Sequence, residues 1–162
     1  MEQLLLYFCR MIINWQFFNF HDLSKFQLHE IMKFRQAIFI VEQDCPYQDA
    51  DEKDKDSYHL LGFDESQQLV AYLRLVKEGI SYDEISFGRI ATHLLVRGKG
   101  VGKDLMAEGI RQAKNLYGDS AIRISAQSHL VPFYESFDFK STGKEYLEDD
   151  IPHTEMLLSK KK

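Results

Sequence analysis

The chain has 162 residues, 44% apolar and 13% aromatic, enough for one well-filled core but too few for two stable domains. A formal net charge of −5 with a pI near 5.7 excludes phosphate-backbone binding as the default reading, so nucleic acid is not an expected partner. The two cysteines, Cys9 and Cys45, make no CxxC, which excludes a disulfide framework or zinc ribbon and fits a reducing, cytoplasmic setting.

In chain order, the opening apolar run from Leu4 to Phe8 is too short to span a bilayer, so no membrane association is expected. Residues 1–10 read as an extension ahead of Met11, and one domain runs over 11–159. Ile12-Ile13-Asn14-Trp15-Gln16-Phe17 has the β-branched and aromatic content of a strand. Ser24 and Gln27 form a capping-box pair, behind which Leu28, Ile31, Met32, Arg35, Ile38 and Phe39 recur at helical spacing, predicting a helix over 24–42. The mixed-charge run 49–56 reads as a solvated loop. Its Asp49 and Asp51 have the spacing of a calcium loop, but Asp54 replaces the required Gly and Leu60 the closing Glu.

Strands are predicted over 59–63, 69–76 and 85–92 as an antiparallel meander. From Val101, the positions Leu105, Met106, Ile110, Ala113, Leu116 and Tyr117 form a helical stripe closed by Gly118. A strand over 121–126, a short helix over 132–136 opened by Pro132, and strands over 139–146 and 153–158 complete the order β-α-β-β-β-α-β-α-β-β. Lys160-Lys161-Lys162 reads as a frayed tail.

The most informative segment joins the strand ending Ile90-Ala91-Thr92 to the helix through Arg97-Gly98-Lys99-Gly100-Val101-Gly102-Lys103. Such a junction binds anions: first-turn amides lack intrahelical acceptors, the helix dipole is positive there, and glycines admit close approach. A P-loop would need Gly at Arg97 and a hydroxyl at Asp104. A dinucleotide fingerprint would need GxGxxG in a parallel βαβ unit, whereas this loop reads GxGxG after antiparallel strands.

Arg97-x-x-Gly100-x-Gly102 after Ile90-Ala91-Thr92 resembles the acetyl-CoA signature of the GNAT acetyltransferases. Gln127, six residues before Phe133-Tyr134, and the following Phe137-Asp138-Phe139 are similar to the family's second CoA motif. There Asp138 departs from the usual Gly and predicts a left-handed residue. Arg35-x-x-Ile38-Phe39-Ile40-Val41-Glu42-Gln43, Cys45-Pro46-Tyr47-Gln48-Asp49 and Ile151-Pro152-His153 resemble an ElaA-type subgroup. The resemblance implies an α+β GNAT fold: a mostly antiparallel twisted sheet, parallel fourth and fifth strands that splay apart, and flanking helices. It also implies an N-acetyltransferase in which an amine attacks acetyl-CoA directly. Ile90, Ala91 and Thr92 would pair with the pantetheine arm, Gly98, Lys99, Gly100, Val101, Gly102 and Lys103 would cradle the pyrophosphate, and Arg97 and Gln127 would assist.

By the same resemblance Tyr134 occupies the general-acid position, although a Tyr beside Phe133 on a short apolar helix also reads as core packing. Glu42 reads equally as a base or as an anchor for a cationic acceptor. Tyr47 reads as an acceptor-pocket wall or an exposed loop aromatic, and His59 and His153 as proton relays or structural residues. None of the six histidines shows HxxxH or HExxH spacing, so no metal is expected. A small-molecule or peptide amine is the expected partner, dimerisation through the terminal strands is compatible with their aromatic content, and a non-catalytic CoA-binding module is the alternative reading.

Overall fold

The computed structural model describes residues 11–160, so the readings of 1–10 as an extension and of the last two lysines lie outside the described residues. Among these residues seven strands form one sheet in the order β1-β2-β3-β4-β5-β7-β6. The strands are β1 (Asn14–Asn19), β2 (Ser57–Phe63), β3 (Leu69–Val76), β4 (Ile85–Thr92), β5 (Ile122–Gln127), β6 (Lys140–Glu148) and β7 (Ile151–Leu158). The helices are α1 (Lys25–Arg35), α2 (Val101–Tyr117) and α3 (Val131–Glu135). All neighbouring strands are antiparallel except β4 and β5, as expected.

The sheet is covered on both faces. On one, Ile31 and Phe34 of α1 and Ile38 pack on Leu61, Phe63, Leu69, Tyr72 and Ala91. On the other, Leu105, Met106 and Ala113 of α2 join Leu60, Leu73, Leu75 and Phe87. Helix α2 comes close enough to the sheet that a Cβ on Gly109 would lie 2.9 Å from Leu73 Cδ1, so glycine is required there for want of space.

Two expectations are corrected. The Ser24–Gln27 capping box opens α1 as predicted, but the α-helix stops at Arg35 and Gln36–Glu42 winds as a π-helix, with the Gln43 amide reaching back to Ile38 O at 3.2 Å. The run 49–56 is not a solvated loop throughout: Asp49 and Asp54 are buried. Arg35 Nε donates to Asp49 at 2.7 Å, Arg35 Nη1 and Arg74 Nη1 both donate to Asp54 Oδ1 at 2.7 Å, and Arg89 Nε donates to Asp49 at 2.6 Å. Buried carboxylates need such partners, and these came from α1, β3 and β4, remote in sequence.

Two irregularities shape the middle of the sheet. Tyr72 pairs with Ala91 and Arg74 with Gly88, so Leu73 faces both Arg89 and Ile90, a bulge that puts Arg89 at φ 52°. The parallel pairing of β4 and β5 runs from Ile85↔Ile122 to Phe87↔Ile124 and goes no further. Beyond that point the strands part and a cleft opens between them.

Candidate active site

The loop before α2 begins with a short 3-10 turn, Leu94–Val96, whose Leu95 amide is capped by His93 Nδ1 at 3.3 Å. Gly98 and Gly100 then adopt φ of 75° and 85°, and no heavy atom lies within 4 Å of a Cβ built on either, so backbone conformation rather than space demands glycine. Gly100 caps α2, Val101 is buried as its anchor, and the first-turn amides of Val101 and Gly102 have no intrahelical acceptor. Lys99 and Lys103 are exposed beside them. Arg97 turns back: Nε and Nη2 donate to Thr92 O at 3.1 and 3.0 Å, while Nη1 and Nη2 grip Glu42 at 2.6 and 3.0 Å.

The cleft has a volume of about 330 Å³. Gly88, Arg89 and Ile90 of β4 form one wall, Ser125 and Gln127 of β5 the other, and Tyr134 of α3 also lines it. Phe39, Gln43, Cys45 and Tyr47 line it from the segment after α1, and Glu148, Asp149, Ile151 and His153 from the β6–β7 hairpin. Tyr134 is only 5% exposed, its hydroxyl has no hydrogen-bond partner among the described residues, and burial pushes the phenol up to about 12. It therefore stays protonated at neutral pH, with a donor to spare. Asp138, at φ 68°, ends the α3 turn in the left-handed conformation expected of it.

The side of the cleft formed by β5 and the β6–β7 hairpin carries a chain of hydroxyls. Tyr146 Oη donates to Ser125 Oγ at 2.6 Å, and Ser125 Oγ donates to Glu148 Oε2 at 3.2 Å. His153 stacks on Tyr146 and meets Ile151 O at 2.8 Å through Nδ1; a carbonyl can only accept, so Nδ1 carries the hydrogen and Nε2 is the acceptor of the neutral ring. Tyr47 donates to Asp49 Oδ1 at 3.1 Å under the Arg89 guanidinium, and burial pushes its phenol up to about 12.

The Acetyltransferase (GNAT) domain family matches residues 24–160. The chain belongs to the GNAT acetyltransferases. It is a transferase of the acyl-transfer class. A UPF0039 protein of Synechocystis is 43% identical over 148 residues, 91% of this chain and 96% of the relative. Escherichia coli protein ElaA is 37% identical over 147 residues, 90% of this chain and 95% of its own, and its crystal structure superposes with a TM-score of 0.84. An acyl-CoA N-acyltransferase from Pseudomonas aeruginosa, 35% identical, superposes with a TM-score of 0.85 over 90% of this chain and 99% of that one.

Of the residues singled out in this GNAT sequence, the structure brings Ile90, Gln127, Tyr134, Tyr47 and His153 to one cleft, while Ala91, Thr92 and the 97–103 segment that follows β4 do not line it. His59 and Glu42 are placed elsewhere as well. His59 is fully buried, with Nδ1 2.7 Å from Tyr72 Oη and Nε2 3.0 Å from Asp54 O, and burial pulls its ring down to about 4; sealed from solvent, it cannot relay an acceptor proton. Glu42 sits at the exposed rim with both oxygens held by Arg97, so it bridges the π-helix to the glycine loop instead of lining the cleft. Ser125, Tyr146 and Glu148 were not singled out. The alternation of β5, with Ile122, Ile124 and Ala126 buried, was the available signal that Ser125 shares the Gln127 face. Among the described residues no group of His, Cys, Asp and Glu could hold a metal ion, and no helix is long and apolar enough to cross a membrane.

Proposed function

We propose that the protein transfers an acetyl group from acetyl-CoA to a primary amine, the amine attacking the thioester directly. The observation that carries this reading is the parting of β4 and β5 after Phe87 and Ile124, with an unpartnered, buried phenol on the wall of the gap and a left-handed glycine loop at the end of β4. The loop fits a diphosphate: its glycines leave open space where side chains would stand, its first-turn amides are unpaired, and its lysines are exposed. Residues 98–103 would hold the diphosphate, and Ile90, Ala91 and Gln127 the pantetheine arm. Arg97 acts by fixing the Thr92 carbonyl and the loop. The thioester supplies the activated acetyl group.

Backbone amides of β4 at the bulge offer preorganised donors for charge developing on the acetyl oxygen. Tyr134 offers the proton that the leaving sulfur needs, and its raised pKa keeps that proton in place until charge builds. The acceptor is a small-molecule or peptide amine entering from the β6–β7 side, where the cleft is lined by polar groups.

Calorimetry with acetyl-CoA on the folded protein, followed by thiol release with a panel of amines, tests the proposal. Micromolar binding and amine-dependent release are expected. No binding by folded protein would end the reading, and binding without release to any amine would make this a ligand-binding member of the family.

A further inference from the structure

The carboxylates around this cleft differ in one respect. Asp49, Asp51 and Asp54 are neutralised by Arg35, Arg74 and Arg89, Glu84 and Glu155 share Arg123, and Glu42 holds Arg97. Glu148 and Asp149, the two carboxylates that line the cleft, have no ion-pair partner among the described residues. The bases that line it with them include Arg74 and Arg89, both already paired, and the exposed Lys53. The cleft therefore carries two carboxylates on its hairpin side that no ion pair neutralises, against a single unpaired lining cation, Lys53, among the described residues. Asp149 and Asp150 are felt as far as Cys45, whose thiol is pushed up by desolvation and then by their charges.

Glu148 is also the carboxylate that the structure aims. Its Oε2 accepts from Ser125, the residue just past the last β4–β5 pair, and Ser125 is in turn held by Tyr146. Tyr134, whose hydroxyl is unpartnered among the described residues, lines the same cleft. The groups facing Glu148 are thus Ser125 from β5, Tyr146 from β6 and, through its electrostatic influence, Tyr82 from the β3–β4 link, with His153 of β7 stacked on Tyr146.

We propose that the acceptor enters as an alkylammonium ion, and that Glu148, positioned by Ser125 and Tyr146, is the carboxylate that receives it and takes its proton. This rests on the acetyl-transfer reading above. An alkylammonium with a pKa of about 10 has no lone pair to offer at neutral pH, so one proton must leave before attack. That proton passes to Glu148, which is exposed and returns it to solvent. The nitrogen lone pair forms the new C–N bond as the C–S bond breaks, and the electron pair of that bond leaves on sulfur. Tyr134 supplies the proton for sulfur and regains one from the nitrogen, which sheds its second proton as the amide forms. The sum is ammonium plus thioester giving amide, thiol and one proton to water.

The test compares Glu148→Gln with the natural protein, using butane-1,4-diamine as the cationic probe and 4-methoxyaniline as an amine that is neutral at the assay pH. Calorimetry with acetyl-CoA is run on both proteins, and thermal melts check that the exposed substitution leaves folding intact. Expected are unchanged acetyl-CoA affinity, a loss of about 100-fold in kcat/KM for the diamine, and a loss of no more than about threefold for the arylamine. Equal losses for both amines, or no loss for either, would overturn the role of Glu148. Natural protein that binds acetyl-CoA but acetylates only the arylamine, or neither amine, would overturn the cationic acceptor. Failure of the natural protein to bind acetyl-CoA at all would instead strike the acetyl-transfer reading on which the role depends.

Discussion

Arg35 Nη1 lies 2.7 Å from Asp54 Oδ1 with both side chains all but sealed from water, and this contact ties α1 to the loop ahead of β2. The same oxygen accepts from Arg74 of β3, so one carboxylate offsets charge on two buried guanidiniums. Removing it leaves Arg35 with Asp49 and Arg74 with Asp51, and the buried cluster of Arg35, Arg74 and Arg89 one negative charge short. Asp54→Asn is expected to cost about 3–5 kcal/mol of stability, read as a fall in the urea midpoint, because breaking a buried pair strands the remaining charge. A change under 1 kcal/mol would mean water reaches the cluster.

Next to that network His59 is held neutral. Burial, the leading cause, pulls its ring from the usual 6.5 to about 4, so as pH falls the unfolded chain takes up the proton first. Its contribution is complete above pH 6.5 and is lost progressively between pH 6.5 and 4, on the order of 3 kcal/mol across the window. The ring resonance of His59 should titrate below pH 5, and a midpoint at 6 or above would contradict the burial seen here.

Tyr134 offers a clean separation of folding from chemistry. Its hydroxyl makes no hydrogen bond among the described residues, so Tyr134→Phe should leave the melting temperature within about 1–2 °C. Thiol release should nonetheless fall about 100-fold if the phenol protonates the leaving sulfur. Unaltered kcat would remove that role.

The two glycines at the start of α2 should respond differently. Gly100 sits at φ 85°, so Gly100→Ala carries about 1–2 kcal/mol of backbone strain. A Cβ on Gly102 would meet only Phe133 Cζ at 3.8 Å, an ordinary contact, so Gly102→Ala should fold as well as the natural chain. Both should weaken acetyl-CoA binding in calorimetry, Gly102→Ala without the loss of stability.

Glu42→Gln tests the rim. The Glu42–Arg97 pair is more than a third exposed on both sides, so screening limits its worth to well under 1 kcal/mol. Turnover should stay within about threefold, where a catalytic base would show a loss of about 100-fold.

The succession of elements and most of their boundaries could be read from the chain because each is signalled locally. β3 and β4 are mostly apolar runs bounded by turn residues, Ser24 and Gln27 cap α1, and glycines flank α2. The glycine loop ahead of α2 was legible for the same reason. What escaped depends on distant partners. Asp49 and Asp54 look like solvated charges until Arg35, Arg74 and Arg89 are folded against them, and His59 looks available until Tyr72 and Asp54 close over it. Glu148 has no motif around it; its significance comes from Ser125, 23 residues earlier in the chain. The π-helix was hidden because apolar spacing to Phe39 is the same whichever amide–carbonyl pairing winds it.

That wide-wound stretch holds Phe39 and sets the angle at which Gln43 faces Gln127 across the gap. Deleting one residue between 36 and 42 would tighten the coil and swing the segment directly after it, residues 43–47, by about 100°. The side of the cleft lined by Gln43, Cys45 and Tyr47 can thus be re-faced by a single-codon insertion or loss while sheet, glycine loop and phenol stay where they are.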